Sequence, residues 1–327
     1  MKKVLITGIL GQDGAYLAEL LLKKGYKVYG LIRRYTNPNY ENLEYLGITK
    51  NVNFIIGDLT DQSSLVNAVK TAEPDEVYNL AAQPFVGSSW DLADYTTEVN
   101  AMGTLRLLEV MRQHCSEAKF YQAATSEMFG NSSNDGVQTE ETSFHPRSPY
   151  AISKLYAYWI TNNFKESYGM FCTNGILFNH ESPIRGVEFV TRKITIGVAR
   201  IAHGLETEIR LGNIDSKRDW GFAGDYVEAM YLMMQQEEPE NYLISTGETH
   251  SVREILDLAF SHIGIDDWES YVKIDPQFIR PAELFTLQGK SNTAQEKLGW
   301  KPKVRFKELI TMMVDADMKR VSRLIEK

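Results

Sequence analysis

Hydrophobic and polar positions in the first part of the chain follow two periods, one typical of strands and one typical of helices. A short apolar run from Val4 to Ile6 ends at Gly8. The following segment, Asp13 to Lys24, places four apolar side chains on one helical face. This pattern predicts a strand, a tight turn and a helix.

The same unit repeats as far as residue 177. Further strands are predicted at Val28 to Ile32, Val52 to Ile56, Glu76 to Leu80, Lys119 to Ala123 and Thr173 to Leu177. Helices are predicted around Leu65 to Val69, Asn100 to Met111 and Tyr150 to Tyr168. Regular alternation of strand and helix predicts an α/β fold, a Rossmann-type doubly wound parallel sheet with right-handed crossovers.

Regularity weakens after residue 177. Polar, turn-rich stretches at Phe178 to Glu188 and Asn213 to Gly224 separate shorter elements, and helical patterns return at Val252 to Ile263 and Phe306 to Leu324. We therefore expect a smaller mixed α/β lobe. The sheet domain is assigned residues 1–177 with a return at roughly 214–247, and the smaller lobe is assigned 178–213 and 248–327.

Composition narrows the class of protein. The chain has 327 residues, 43% of them hydrophobic, and a formal net charge of -8, which argues against a general nucleic-acid partner. No stretch approaches the roughly 20 apolar residues that span a bilayer, so no membrane association is expected. Cys115 and Cys172 lack the spacing of a disulfide framework or a metal site, and their scarcity favours a cytoplasmic location.

Three glycines lie between the first strand and the first helix. Gly8, Gly11 and Gly14 recur at a spacing of three, where a tight turn needs unusual backbone angles. Small residues at this point let a pyrophosphate approach the positive end of the helix. The turn predicts dinucleotide binding, with an ordinary strand-to-helix turn as the alternative.

The end of the second strand bears on which dinucleotide binds. A cofactor without a 2′-phosphate normally meets an acidic residue there, but this chain has Arg33 and Arg34 and no acid before Glu41. The pair favours NADP over NAD. The alternative is that both arginines lie in solvent at the end of the strand and bind no cofactor. Asp58-Leu59 is expected at the adenine, and the small side chains from Leu80 to Gln83 are expected beneath the cofactor.

Four residues near the fifth strand suggest catalysis. Tyr150 and Lys154 lie one helical turn apart, so both can face one cleft, and the ammonium should favour the phenolate. Thr125 follows the strand and is suited to polarise a reacting oxygen. Glu127 distinguishes this site from that of a simple alcohol dehydrogenase, because alcohol oxidation needs no carboxylate beside the substrate carbon. The alternative interpretation is an acidic residue at a helix N-terminus, stabilised by the helix dipole.

With these residues placed, the chain resembles the extended short-chain dehydrogenases/reductases, and within them the GDP-mannose 4,6-dehydratase family. The resemblance runs from Val4 to about Asp317. It is most specific in five stretches: Thr7 to Gly14, Thr125 to Gly130, Pro146 to Trp159, Gly175 to Lys193 and Arg218 to Tyr231.

The resemblance implies ligands for each site. NADP would contact Gly8, Gly11, Gln12, Asp13, Arg33, Asp58, Leu59, Leu80, Ala81, Ala82, Gln83, Tyr95, Lys154, His180 and Arg185. A GDP-linked hexose would contact Asn179, Val190, Lys193, Arg218, Arg280 and Glu283. Thr125, Glu127 and Tyr150 match the family's active-site positions. A homo-oligomer, dimer or tetramer, is also implied, with Tyr35 to Glu44 reaching a neighbouring subunit's cofactor site.

One departure from the family's pattern keeps the substrate open. Pro84 stands where a serine commonly follows the Ala-Gln pair, which removes a hydroxyl and a backbone donor. Dehydration of GDP-mannose with bound NADP is the leading hypothesis. The alternatives are another GDP-sugar such as a GDP-manno-heptose, a nucleotide-sugar epimerase, and more remotely a non-catalytic NADP-sensing protein.

Overall fold

The computed structural model describes residues 1–131, 136–278, 282, 284 and 286–326. Its strands are β1 Lys3–Thr7, β2 Lys27–Ile32, β3 Asn53–Ile56, β4 Glu76–Asn79, β5 Lys119–Thr125, β6 Val137–Gln138, β7 Cys172–Leu177, β8 Asn179–Glu181, β9 Ile209–Leu211, β10 Lys217–Arg218, β11 Trp220–Phe222, β12 Tyr242–Ile244, β13 His250–Ser251, β14 Val272–Ile274 and β15 Thr286–Gly289. Its α-helices are α1 Gln12–Lys23, α2 Glu41–Tyr45, α3 Gln62–Ala72, α4 Ala93–Thr97, α5 Gly103–His114, α6 Pro149–Tyr168, α7 Val190–Ala202, α8 Ala223–Met234, α9 Val252–His262, α10 Asn292–Leu298 and α11 Phe306–Ile325.

A seven-stranded sheet forms the centre of the molecule, in the order β12-β7-β5-β4-β1-β2-β3. All of its neighbouring strands are parallel, with Ile6 of β1 opposite Gly30 on one side and Tyr78 on the other. This confirms the predicted doubly wound α/β fold. The strand order reverses beside β1, so the loops after β1 and β4 meet at the point where such sheets bind ligands.

Apolar side chains from both layers of helices fill the two faces of this sheet. On one face, Leu17 of α1 and Met230 of α8 belong to one buried cluster. On the other, Leu65 of α3 and Leu107 of α5 belong to a second cluster. Removing these side chains from water is the main force that holds the helices on the sheet and the strand ends in register.

The predicted strands agree with the structure to within one or two residues, and the differences fall near the site. β4 ends at Asn79, one residue early, and β5 continues to Thr125, two residues further than predicted. The predicted helix from Asn100 is part of a longer helical run that begins with α4 and includes a π-helical turn at Glu98–Met102. That turn shifts the side-chain period, so a search for the 3.6-residue spacing does not extend through it.

The chain beyond residue 177 is more regular than its sequence indicated. α7 and α8 were not predicted, and the two turn-rich stretches contain β8, β10 and β11. β12 pairs with β7 at the edge of the central sheet, while α7, α9 and α11 enclose a separate apolar cluster. The domain boundaries stay a prediction. Within the described ranges, every helix is too short or too polar to span a bilayer.

Candidate active site

The glycine turn brings the ends of β1 and β4 into contact. Gly8 has a φ of +74°, and a Cβ there would lie 2.7 Å from the backbone nitrogen of Ala81. Only glycine fits this close approach without displacing the second loop. Gly11 then caps the N-terminus of α1, where free backbone N–H groups and the helix dipole favour an anion.

The loops that follow β1 to β4 line one cavity of 1610 Å³. Many residues expected at the cofactor contribute to its wall: Gly8, Gly11, Gln12, Asp13, Arg33, Asp58, Leu59, Leu80, Ala81, Ala82, Tyr95 and Arg185. Pro84, the departure from the family's pattern, also lines it. The part of the lining that follows the strand ends fits a dinucleotide, while α7 and α11 line the remainder.

Of the two arginines after β2, the structure brings only Arg33 to this cavity. Its Nη1 donates a hydrogen bond to the Tyr95 hydroxyl at 2.8 Å, and its guanidinium lies 5.0 Å from the ring centroid of Tyr35. Arg34 is exposed and lies outside the lining. A 2′-phosphate in the cavity would therefore meet Arg33 rather than both cations.

Asp13 and His180 form an ion pair behind the glycine turn. The His180 Nε2 lies 2.8 Å from Asp13 Oδ2, and Nδ1 donates to the Phe178 carbonyl at 2.7 Å. Burial opposes the charged imidazole, but the Asp13 carboxylate outweighs it and raises the pKa of His180. The pKa of Asp13 is lowered despite burial, because His180 and Arg185 are close. Among the described residues Asp13 Oδ1 has no hydrogen-bond partner, which leaves a buried acceptor for a polar ligand.

Sequence reasoning missed two side chains that fix the cofactor loops. Ser182 donates to Gln12 Oε1 at 2.8 Å, and Gln12 donates to the His180 carbonyl at 2.8 Å. Asn100 accepts from the Gln83 backbone nitrogen at 2.8 Å and donates to its carbonyl at 3.2 Å. Asn100 lies in the π-helical turn. No sequence spacing signals such contacts, because their partners are remote in the chain.

β5 delivers Thr125 and Glu127 to the carboxyl end of the sheet. Thr125 caps a short 3₁₀ turn, Ser126–Phe129, and its Oγ1 accepts from the Glu127 backbone nitrogen at 3.3 Å. The turn closes at Gly130, with a φ of +60°, where a Cβ would lie 1.9 Å from the His145 carbonyl oxygen. Glu127 is thereby held in a buried position, 9% exposed, directly after the strand.

Tyr150 and Lys154 come from the first turns of α6. The helix starts where Ser148 caps it, accepting from the Ala151 backbone nitrogen at 3.1 Å, with Pro149 at its first position. Tyr150 is half-buried, and burial raises the pKa of its phenol to about 12. A hydrogen bond with Thr125 and the charge of Arg185 lower this pKa, while Glu127 raises it.

Lys154 differs from its expected role. Its Nζ donates to the Ala123 carbonyl at 2.9 Å, and burial lowers its pKa to about 8. Desolvation dominates the pKa of Tyr150, and the Lys154 ammonium donates to a backbone carbonyl, so the expectation that Lys154 lowers the pKa of Tyr150 stays a prediction. The site nevertheless joins Thr125, Glu127 and Tyr150, as the sequence predicted, at one edge of the sheet.

The residues expected at the nucleotide-sugar come from separate elements. Asn179 pairs with Trp220 in the β8–β11 register, and Val190 is the first residue of α7. The Lys193 Nζ lies 3.5 Å from the Phe278 ring centroid, and burial lowers its pKa. Arg218 is 7% exposed and donates to the carbonyls of Lys217 and Leu284. The two remaining expected residues, Arg280 and Glu283, lie outside the described residues.

This chain is similar to GDP-mannose 4,6-dehydratases over nearly its whole length. The family model for GDP-mannose 4,6 dehydratase matches residues 5–313. GDP-mannose 4,6 dehydratase 2 of Arabidopsis thaliana is 53% identical, with 98% of this chain and 88% of that protein covered. GDP-mannose 4,6-dehydratase of Yersinia enterocolitica is 47% identical, with 99% and 95% covered.

A solved structure of UDP-glucose 4-epimerase from Thermus thermophilus, in complex with NAD, matches the fold with a TM-score of 0.84. It is 28% identical and covers 97% of this chain and 99% of its own. The identities to the dehydratases are much higher and extend over nearly the whole chain. The chain therefore belongs to the GDP-mannose 4,6-dehydratase family.

Proposed function

We propose that this protein converts GDP-mannose to GDP-4-dehydro-6-deoxy-mannose, with no net oxidation or reduction. The observation that carries the proposal is the buried carboxylate of Glu127 in the turn that also holds Thr125 beside Tyr150. A second acid–base group next to the tyrosine is what elimination of water requires in addition to alcohol oxidation. Family membership and the roughly half-identical dehydratases support the same reaction.

The cofactor is a nicotinamide dinucleotide, and we propose NADP. The chemistry that it supplies when bound is acceptance of hydride from C4 of the sugar and its return at C6. The backbone at Gly11 and Gln12 would hold the pyrophosphate at the start of α1, and Arg33 would hold the 2′-phosphate. The fit rests on the shape of the cavity and on the buried, unpartnered oxygen of Asp13.

In the first half of the reaction, Tyr150 takes the proton from the O4 hydroxyl. Its raised pKa makes the phenolate scarce before substrate binds and a strong base once formed. Thr125 hydrogen-bonds to the phenol and lowers that pKa, so its hydroxyl stabilises the charge that develops on oxygen. Arg185 acts in the same direction through its charge.

In the second half, Glu127 takes the proton from C5. The ketone at C4 makes this proton acidic, since the resulting carbanion is stabilised by the adjacent carbonyl. Glu127 then gives that proton to the departing C6 hydroxyl, which leaves as water. C5 finally takes up a proton, which balances the one that Tyr150 removed from O4, so both side chains return to their starting state. Epimerisation at C4 needs no base at C5, so Glu127 disfavours the epimerase alternative despite the shared fold of the Thermus enzyme.

A second candidate substrate is another GDP-sugar, such as a GDP-manno-heptose. Pro84 lines the cavity where the family's pattern has a serine, and this observation favours a comparison of sugars. Parallel incubations with both sugars distinguish them. Faster turnover of the heptose in the wild type, reversed by Pro84→Ser, would assign the substrate to the heptose.

The test of the reaction is mass spectrometry of GDP-mannose incubated with the protein and NADP. A product lighter by one water is expected. Glu127→Gln should lower its formation at least about 1000-fold, because the amide cannot accept the C5 proton, and should leave NADP affinity unchanged. Glu141→Gln, at an exposed site, is the matched control. Full turnover by the Glu127→Gln protein would exclude this role.

We further propose that the protein is a homo-oligomer, a dimer or tetramer, in the cytoplasm. Ile152, Tyr156 and Trp159 are exposed along one face of α6, with Ile152 58% and Trp159 57% accessible. An apolar stripe of this kind favours contact with another copy. Light scattering should give at least a dimeric mass, and Trp159→Glu should shift it toward the monomer.

The proposed cytoplasmic location is supported by the two cysteines, Cys115 and Cys172, which are both free thiols.

A further inference from the structure

A cluster of buried charges connects the C-terminal helix to the loop after β8. Asp317 of α11 is fully buried and lies among the side chains of Arg192, Thr195 and Arg320. Arg192 Nε lies 2.9 and 2.8 Å from the two carboxylate oxygens, and Arg320 Nη1 lies 2.5 Å from Oδ1. Thr195 donates to Oδ2 at 2.7 Å.

The same two arginines also hold backbone carbonyls. Arg192 Nη1 donates to the carbonyl of Pro183 at 3.0 Å and to that of Arg185 at 2.8 Å. Arg320 Nη2 donates to the Pro183 carbonyl at 2.7 Å. We call Arg192, Arg320 and Asp317 the carbonyl clamp. The loop is therefore fixed by charged donors at two successive points, which gives a stiffer attachment than neutral contacts would.

The loop that the clamp holds carries Arg185 to the cofactor cavity. The Arg185 Nε lies 3.1 Å from Glu181 Oε2 without hydrogen-bond geometry, and its guanidinium lies 3.5 Å from the Phe189 ring centroid. Its charge acts on Asp13, in the glycine turn, and on Tyr150. Arg185 thus lies where the cofactor cavity meets the catalytic residues, and its backbone position decides where its charge falls.

We propose that the carbonyl clamp positions Arg185 for the cofactor by holding the backbone of its loop. Arg192, Arg320 and Asp317 are therefore positioning residues, and the two arginines also line the cofactor cavity. The proposal rests on the proposed binding of NADP. Sequence reasoning assigned no role to any of the three. Arg192 of α7 and Asp317 of α11 lie 125 residues apart in the sequence and meet only in the folded chain.

The hydrogen bonds of the Arg192 guanidinium allow a test that distinguishes positioning of the loop from general stabilisation of the fold. Arg192 is 5% exposed and uses Nε on the carboxylate and Nη1 on both carbonyls at once. A lysine at this site keeps the charge and the attraction to Asp317, but a single ammonium lacks the planar fork that reaches all these acceptors. Arg192→Lys therefore releases the loop while preserving the ion pair.

The experiment measures NADP dissociation constants by calorimetry, without substrate, for the wild type, Arg192→Lys and Thr195→Val. Arg192→Lys should weaken NADP binding about tenfold, because displacement of a positioned charge by about 1 Å costs that much or more. Thr195→Val removes a hydrogen bond from the same carboxylate but leaves both carbonyls held. It should lower the melting temperature and change NADP affinity less than about twofold.

Equal NADP affinity in Arg192→Lys and wild type would overturn the proposal, as would equal weakening by Thr195→Val. If Arg192→Lys does not fold, Asp317→Asn decides, because Asp317 belongs to the clamp and does not line the cofactor cavity. A weaker NADP complex in Asp317→Asn supports the clamp, and an unchanged one contradicts it. The series is repeated with NAD, so that a preference for NAD counts against the proposed cofactor and not against the clamp.

Discussion

The cofactor cavity and the catalytic pocket lie side by side on one sheet edge but are built on different principles. The cavity is lined by loops from four strand ends and by side chains of α7 and α11, and Arg33, one of its cations, is exposed. The catalytic pocket comes from one strand end and one helix. Its polar groups are nearly removed from water: Thr125 is 8% exposed and Lys154 is 4% exposed.

This difference separates recognition from chemistry. Backbone N–H groups at the start of α1 do not titrate, so they keep their affinity for an anion over a broad pH range. In the pocket, burial moves proton affinities in opposite directions, raising the pKa of Tyr150 to about 12 and lowering that of Lys154 to about 8. We therefore expect pocket substitutions to change rates and cavity substitutions to change affinities.

The largest effect should follow the loss of the catalytic phenol. Tyr150→Phe removes the group that accepts the O4 proton and should lower kcat about 1000-fold, within the usual range for general acid–base catalysis. NADP affinity should stay within about twofold of the wild type. Steady-state kinetics and calorimetry measure the two quantities. Tyr168→Phe, at the exposed end of the same helix, is the control. A large loss of NADP affinity in Tyr150→Phe would contradict the division between pocket residues that set the rate and cavity residues that set the affinity.

A smaller effect should follow at the cavity. Arg33→Gln removes the guanidinium that would hold the 2′-phosphate of the proposed NADP, and it should weaken NADP binding about 30-fold while NAD binding changes less than about twofold. Competition between the two cofactors in one titration gives the ratio directly. Arg34→Gln should leave that ratio unchanged, because Arg34 lies outside the lining. If both substitutions changed the ratio equally, the preference for NADP would come from the overall positive charge of this segment and not from a specific contact with Arg33.

The smallest effect concerns the pair behind the glycine turn. His180 has a raised pKa in the folded protein, so its contribution to stability is complete below the ordinary value of 6.5 and is lost as pH rises through the raised pKa. The pKa of Asp13 is lowered, so the pair also weakens as pH falls through that lower value. Between these limits the imidazolium and the carboxylate are both charged.

The matching variant is His180→Gln. Its free energy of unfolding should fall below that of the wild type by about 1 kcal/mol more at about pH 6 than at about pH 9. Urea denaturation at both pH values measures the difference. His262→Gln, which loses a surface contact with Asp315, should show a smaller change between the two pH values. If the free energy of unfolding of His180→Gln were lower than that of the wild type by the same amount at both pH values, stacking on Tyr226 and not charge would hold the histidine.

The catalytic pocket could be predicted from sequence because its parts are local. Thr125 and Glu127 are two residues apart, and Tyr150 and Lys154 share one helical face. The direction in which their pKa values shift could not be predicted, because it depends on how far folding removes each group from water. Spacing alone assigned Lys154 to the phenol, whereas folding directs its ammonium to the Ala123 carbonyl.

The sequence by itself determined the parallel sheet and the glycine turn and gave the candidate catalytic residues, because hydrophobic period and short spacings act over a few residues. Only the tertiary structure decided that Arg33 and not Arg34 faces the cavity, that Asp13 meets His180, and which remote side chains hold Arg185. Those contacts join segments far apart in the chain. Their formation depends on which surfaces the core brings together, and no local pattern encodes that.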